Sequence, residues 1–297
     1  MKKILRFILE SLFLGVGIAY LYRTFHNGSR GAGEFRELVA EPLIYISGGL
    51  CFCVYLLMAW GIQRAIAENF PDRKAGFLKV YGAVSLSNLG KYIPGKIWSL
   101  VAFGRLGQRM GLPVAFMGGI FAANMLLGFL SAFLLFFMRT LPLGWGLALY
   151  LVMLAAGIFG WEPLSRIVQE RIPFLRGRIP HGLGILWVVQ WLNALMSGFA
   201  YYVIGEALGA GRELSFAALT TYPIGYMIAY MAFLVPGGVG VRESLLNLMD
   251  GSYAHSASAL IVSRLMTVTI DLVGALLGLL IWVRKDSRNG EVRSSPL

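Results

Sequence analysis

The sequence has few charged residues for its length. Charged residues make up 14% of the 297 residues, whereas soluble domains have about 25%. Hydrophobic residues make up 57%, and the mean hydropathy is +0.69. This balance excludes an ordinary cytosolic enzyme and a disordered chain. It predicts an all-α, polytopic integral membrane protein.

Cysteine, histidine and catalytic motifs are equally scarce. The two cysteines, Cys51 and Cys53, lie two positions apart in an apolar run. On a helix they point to different sides, which argues against both a disulfide and a metal site. The three histidines are isolated, and no nucleotide-binding loop of the GxxxxGK[ST] type is present. We therefore expect no metal, no cofactor and no enzyme activity.

Positive charge, by contrast, is in excess. The 26 basic and 15 acidic residues give a net charge of +11. In a membrane protein such an excess is typical of loops that set the topology and contact anionic lipids. We therefore expect anionic lipid, and no nucleic acid, as a partner.

Six apolar stretches are long enough to cross a hydrocarbon core of about 30 Å. They lie near residues 4–24, 42–63, 113–138, 143–161, 183–206 and 256–284. We interpret the first as an uncleaved helix, because Glu10 interrupts it and no cleavage site of small residues follows. Two further segments, 77–109 and 213–250, are each broken by a Pro-Gly pair, at Pro94 and Pro236. A helix stops at such a pair, and a new one can start beyond it.

The order of these segments repeats along the chain. The first spans of the two halves start 139 residues apart (143 − 4), and the Pro-Gly pairs are 142 apart (236 − 94). We therefore predict one transmembrane domain, 1–285, made of repeat 1 (4–138) and repeat 2 (143–284). Residues 286–297 are expected to form a disordered cytoplasmic tail.

The topology depends on whether the broken segments cross the membrane. If both are re-entrant hairpins, the side with the two termini carries 19 basic residues (3 + 4 + 4 + 4 + 4) and the other side carries 5. If their first arms span, making eight full spans, the split is about 13 against 11. The positive-inside rule favours hairpins, with both termini cytoplasmic. Three crossings then separate the hairpins, which predicts an inverted repeat.

The first broken segment contains the motif SLSNLGKYIPGKIWSL, residues 85–100. A helix that restarts after Pro94-Gly95 presents free backbone N–H groups and a positive dipole end. Lys91 and Lys96 flank this point and favour phosphate binding, while Tyr92 and Trp98 offer apolar contact to a lipid or sugar. The alternative is a simple turn whose lysines reach towards the membrane interface.

The second broken segment contains FLVPGGVGVRES, residues 233–244. Gly237 and Gly238 permit close approach of backbone or ligand, and Arg242 suits bidentate phosphate binding. Glu243 is a candidate partner for that arginine. The alternative is packing through glycines with a surface Arg–Glu pair.

Four more polar positions fall within or beside apolar segments. Arg264 and Asp271, seven residues apart, lie on one face of the last span, where they can pair directly or through a ligand. Asp271 is also a candidate proton carrier. Asn124 begins an equivalent i,i+7 pair in the first half. Tyr230 is a further candidate for substrate contact, although it belongs to a Tyr222–Tyr226–Tyr230 series whose i,i+4 spacing is more typical of packing.

NLGKYIPGKIW and LVPGGVGVRES resemble the signatures of the flippase-like membrane domain of lysylphosphatidylglycerol synthases, which also occurs in stand-alone proteins. The resemblance covers essentially the whole chain. Full-length synthases carry a soluble aminoacyl-transfer domain, which we do not expect here. The resemblance therefore implies translocation of a charged or glycosylated lipid between leaflets, without lysyl transfer.

The sequence thus predicts an inner-membrane flippase for an anionic or glycosylated lipid, such as an aminoacyl-phospholipid or a polyprenyl-phosphate-linked sugar. Two alternatives remain open. One is a non-catalytic membrane partner of a glycosyltransferase or lipid-biosynthesis enzyme. The other is an integral-membrane enzyme that modifies lipids.

Overall fold

The structure, a computed structural model, describes residues 40–73, 75–93, 97–160, 182–208, 212–231 and 256–290, with isolated positions at 163, 167, 170, 171, 241, 242 and 245. Every regular element in these ranges is helical. The predicted first helix, 4–24, and the residues Lys96, Gly237, Gly238 and Glu243 lie outside the described residues.

The described ranges contain α-helices that we number α1 to α8. Their bounds are Pro42–Asn69 (α1), Phe77–Asn88 (α2), Ile97–Arg109 (α3), Val114–Met138 (α4), Leu143–Ala155 (α5), Leu183–Ala207 (α6), Arg212–Met231 (α7) and Ser256–Gly290 (α8). A 3-10 turn, Leu89–Tyr92, follows α2, and a π-helical turn, Ala156–Gly160, follows α5. α8 continues five residues beyond the predicted domain end at 285.

Four of these helices are long and apolar enough to cross a membrane. They are Pro42–Asn69, Val114–Met138, Leu183–Ala207 and, within α8, Ala259–Trp282. These match four of the six predicted spans. The predicted span 143–161 is a shorter apolar helix, Gly144–Gly160, whose 17 residues stand at the lower limit of spanning length.

The segment around Pro94 is a pair of short helices that pack on each other. α2 has 12 residues and α3 has 13, which makes each helix about 18–20 Å long and too short to cross a core of about 30 Å. Ile93 is extended (φ −87°, ψ 130°), as expected for a residue before proline. The arms meet at Gly90, where an added Cβ atom would lie 2.8 Å from Ser99 Cα.

The segment around Pro236 has a longer first arm than the segment around Pro94. This arm, α7, has 20 residues, and the helix continues through Pro223. α7 packs closely against α6, and a Cβ atom at Gly198 of α6 would collide with the backbone oxygen of Leu219. The break itself lies outside the described residues.

Helices from the two halves of the chain pack against each other. α1 packs along α6, α2 along α8, and α4 along α7. The contact between α2 and α8 is made through small residues: a Cβ atom at Gly278 would lie 2.9 Å from the backbone oxygen of Gly82. Small residues of this kind let membrane helices approach closely.

The outer surface carries large apolar side chains. Trp145 is 73% exposed, Phe159 77%, Leu126 63% and Leu276 62%. A soluble monomer rarely leaves so much apolar surface in water. Together with the four spanning helices, this surface makes the protein an α-helical membrane protein whose outer face contacts lipid.

Candidate functional site

Asp271 is the centre of a buried polar network. Its side chain has no exposed surface, and its Oδ2 atom lies 2.6 Å from Lys91 Nζ. Tyr55 donates a hydrogen bond to Asp271 Oδ1 (2.5 Å), and Tyr92 donates one to Oδ2 (2.6 Å). The carboxylate therefore has three donors, which come from α1 and from the turn after α2.

This network lies at the middle of the apolar helices. Tyr55 is the fourteenth of the 28 residues of α1. Asp271 is the thirteenth of the 24 residues Ala259–Trp282. An ionisable group at such a depth is costly unless it is paired, and it is a functional candidate for that reason.

Lys91 reaches the network because α2 ends early. The chain changes from α-helix to a 3-10 turn at Leu89, and this turn places Lys91 and Tyr92 at the inner end of the short arm. The Lys91 side chain is only 6% exposed. Its ammonium lies 5.3 Å from the centre of the Tyr92 ring, at a distance that allows a cation–π contact.

Arg242 is held by a second set of groups. It is 4% exposed, and its guanidinium donates to the Tyr222 hydroxyl (3.0 Å), the Leu260 backbone oxygen (3.3 Å) and Ser263 Oγ (3.3 Å). The guanidinium carbon lies 5.3 Å from the centre of the Tyr222 ring. These contacts to α7 and α8 fix the orientation of a residue far along the chain from Lys91.

A pocket with about 440 Å³ of empty space, part of it open to the outside, lies between these two sets of groups. Three basic side chains, Lys91, Arg242 and Arg264, line it together with Tyr92, Tyr226 and Tyr230. The described residues that line it include no acid. We call this space the basic pocket.

A larger cavity adjoins the basic pocket and shares Tyr226, Tyr230 and Thr267 with it. It contains about 930 Å³ of empty space, part of it open to the outside. Its wall is mainly apolar, but the amides Asn88, Asn124, Gln190 and Asn193 face it. We call this space the amide cavity.

The structure brings together most of the predicted site residues that it describes. Lys91, Tyr92, Tyr230, Arg242 and Arg264 line the basic pocket, and Asn124 lines the amide cavity. Trp98, by contrast, is 45% exposed on α3 and lines neither space.

Asp271 has a different partner from the one expected along its own helix. The sequence placed Arg264 and Asp271 on one face of a helix, but the ion pair in the structure joins Asp271 to Lys91. Lys91 comes from the other half of the chain, and it reaches the acid because α2 packs along α8. Arg264 contributes to the wall of the basic pocket instead.

Several contributing residues were not singled out for binding by the sequence. Tyr55 is one tyrosine in an apolar run. Tyr222 and Tyr226 are two more, and their rings form a series with that of Tyr230 in which neighbouring ring centres are 6.4 Å apart, stacked at the first step and tilted at the second. Their i,i+4 spacing predicted this packing, but it did not indicate that Tyr222 also holds Arg242. Gln190 and Asn193 are two amides three residues apart in an apolar helix. This pattern is a sequence signal for a polar site that could have been recognised.

The fold and the site together define a class: an α-helical membrane protein with a basic pocket against a buried ion pair at the middle of its spanning helices. Compared with protein-family models, with curated proteins and with solved structures, the chain gives no match.

Proposed function

We propose that this protein moves an anionic or glycosylated lipid between the two leaflets of the membrane. The observation that carries the proposal is the basic pocket, in which Lys91, Arg242 and Arg264 converge. A phosphate headgroup that enters a low-dielectric region needs positive charge and hydrogen-bond donors already in place. The pocket has both, while the apolar outer surface accommodates the hydrocarbon tails.

Lys91 has a double role in this proposal. Its ammonium contacts Asp271 (2.6 Å) and also lines the basic pocket. A bound phosphate and the Asp271 carboxylate therefore share one ammonium group. Arg242, oriented by Tyr222 and Ser263, offers a planar donor surface that matches phosphate oxygens in a bidentate geometry.

The packing of the helices supports a two-fold internal repeat as the transport architecture, and its proposed inverted orientation rests on the distribution of basic residues. α1 and α6, the second predicted spans of the two halves, pack on each other. α2, the first arm of one broken segment, packs on α8, and α7, the first arm of the other, packs on α4. The same pairing thus occurs twice with the halves exchanged. The shortness of α2 and α3 further supports a re-entrant hairpin in the first half.

We further propose that the protein lies in the inner, cytoplasmic membrane with both termini cytoplasmic. The distribution of basic residues supports this orientation, because the hairpin arrangement, with the mid-depth Lys91 left out, places 18 of them (19 − 1) on the side of the termini and 5 on the other. We also propose that the chain belongs to the flippase-like family of lysylphosphatidylglycerol synthases, which its two Pro-Gly motifs resemble. This membership is consistent with lipid translocation.

The experiment is a leaflet-exchange assay on purified protein in vesicles, with a labelled anionic phospholipid and a labelled zwitterionic one. Loss of one charge-assisted contact costs about 1.5–3 kcal/mol, which is roughly a ten- to hundredfold weaker apparent affinity. We expect this loss for Arg242→Ala and a partial recovery for Arg242→Lys, because ammonium lacks the bidentate geometry.

Arg139→Ala is the matched control, since Arg139 is exposed at the end of α4. All variants are compared after their folding has been verified by thermal unfolding. Equal exchange of the anionic lipid by Arg242→Ala, Arg139→Ala and the unmodified protein would contradict the proposal.

A further inference from the structure

Three amide side chains form a polar patch in the otherwise apolar wall of the amide cavity. Asn124 lies on α4, and Gln190 and Asn193 lie on α6; all three face the cavity. Gln190 Nε2 donates to Asn124 Oδ1 at 2.5 Å. Asn124 and Asn193 are each the eleventh residue of a 25-residue spanning helix. The patch therefore lies near mid-depth, close to the level of Asp271.

Asn193 is the member of the patch with spare hydrogen-bonding capacity. It is only 7% exposed, and its Oδ1 atom has no hydrogen-bond partner among the described residues. Buried polar atoms of native proteins are almost always paired with a protein group, a water molecule or a ligand, so this oxygen is available to a donor that enters the cavity. The partner of a carbonyl oxygen is a donor, such as a hydroxyl group.

The amide cavity lies directly beside the basic pocket, where the phosphate is proposed to bind. Tyr226, Tyr230 and Thr267 line both the amide cavity and the basic pocket. A single headgroup can therefore place its phosphate on one side of these residues and its remaining part on the other. Apolar and aromatic walls with a few fixed polar groups are the usual composition of a small-molecule site.

The charge of the wall selects among headgroups. Asn88, Asn124, Gln190 and Asn193 are neutral, and the described residues that line the amide cavity include no acid. Three basic side chains line the adjoining pocket. A cationic group here would have no carboxylate to pair with and would lie near like charges, which disfavours it. A neutral group with several hydroxyls meets neither cost.

We infer that the amide cavity binds the neutral, polyhydroxylated part of a lipid headgroup whose phosphate lies in the basic pocket. The substrate class is then a glycosyl- or polyol-phosphate lipid rather than an aminoacyl-phospholipid. This inference rests on the proposed function, because it assumes that the basic pocket holds the phosphate.

The test measures binding to the purified protein in detergent with three short-chain probes. Phosphatidylinositol carries a polyol on the phosphate, phosphatidic acid carries none, and lysylphosphatidylglycerol carries an aminoacyl cation. We expect phosphatidylinositol to bind roughly three- to tenfold more tightly than phosphatidic acid, as one or two net hydrogen bonds predict. We expect lysylphosphatidylglycerol to bind more weakly than phosphatidylinositol.

Two substitutions at one position test the role of Asn193. Asn193→Leu is expected to abolish the preference for phosphatidylinositol and to leave phosphatidic acid binding unchanged. Asn193→Asp is expected to shift the preference towards lysylphosphatidylglycerol, because it supplies the missing negative charge. Asn69→Leu, at the far end of α1, is the matched control and is expected to keep the original order.

The outcomes separate the two proposals. If Arg242→Ala weakens all three probes while Asn193→Leu leaves their order unchanged, the inference is wrong and the proposed function stands. Tighter binding of lysylphosphatidylglycerol than of phosphatidylinositol by the unmodified protein would also overturn the inference. Absence of binding by every probe would overturn both proposals.

Discussion

The ion pair between Lys91 and Asp271 makes a quantitative prediction about stability. Removing the carboxylate in Asp271→Ala leaves the Lys91 ammonium, which is 6% exposed, without its negative partner. The hydroxyls of Tyr55 and Tyr92 lose the oxygen atoms to which they donate. Breaking a buried pair from one side costs about 3–5 kcal/mol. That is a large part of the roughly 5–15 kcal/mol that stabilises a typical protein.

The double variant Lys91→Met/Asp271→Leu separates stability from function. Replacing both charges by apolar residues removes the unpaired charge, and such replacements are often neutral for stability. We therefore expect the double variant to regain most of the stability that Asp271→Ala loses. We do not expect it to regain lipid exchange, because the ammonium that lines the basic pocket is gone.

Two measurements on the same purified samples check this prediction. Denaturant unfolding in mixed micelles gives the stability, and leaflet exchange gives the activity. With the single variants Lys91→Met and Asp271→Leu completing the cycle, a coupling energy near zero between the two positions would refute the ion pair as the source of stability. Recovery of lipid exchange by the double variant would remove Lys91 from the site. Arg139→Ala/Asp271→Ala is the control pair, because Arg139 is exposed at the end of α4, and its effects on stability are expected to be additive.

Two further predictions concern the fold. Cysteines introduced at Glu41 and Asp72, which are exposed beyond opposite ends of α1, should label from opposite sides of the membrane in a variant without the native cysteines. Labelling of both from one side would contradict α1 as a membrane span. Gly90→Ala should separate the arms of the first hairpin and destabilise the protein, since its Cβ atom would lie 2.8 Å from Ser99 Cα. Gly119→Ala, where nothing lies within 4 Å of the new atom, should unfold at the same temperature as the unmodified protein.

Local signals in the sequence predicted the elements of the fold. Four spanning helices follow from long apolar runs, and the end of the first short arm follows from Pro94, which forces Ile93 out of the helical region. The segment 143–161 was a weaker case, because its apolar length stands at the limit for a span. In each case the determining interaction lies within a few residues along the chain.

The arrangement of the site was harder to predict, because its contacts join distant residues. The partner of Asp271 is 180 residues away (271 − 91), whereas a helical period can indicate only partners on the same helix. The basic side chains were recognisable as candidates, since ionisable residues are rare in apolar segments. Tyr55 and the amides of α6 carry no charge, and their roles depend on which helices pack together.

The contact between Gly82 and Gly278 has a consequence for how access to the basic pocket can change. α2 and α8 meet there backbone to backbone, and Gly274, one turn earlier on α8, packs against the side chains of Tyr81 and Ser85 of α2. Helices packed this closely cannot slide past each other without steric overlap. Because Lys91 follows α2 and Asp271 belongs to α8, the ion pair is part of this unit. If the protein moves lipid as proposed, the bodies that move would then not coincide with its two sequence halves, because α2 and α8 come from different halves and would move together.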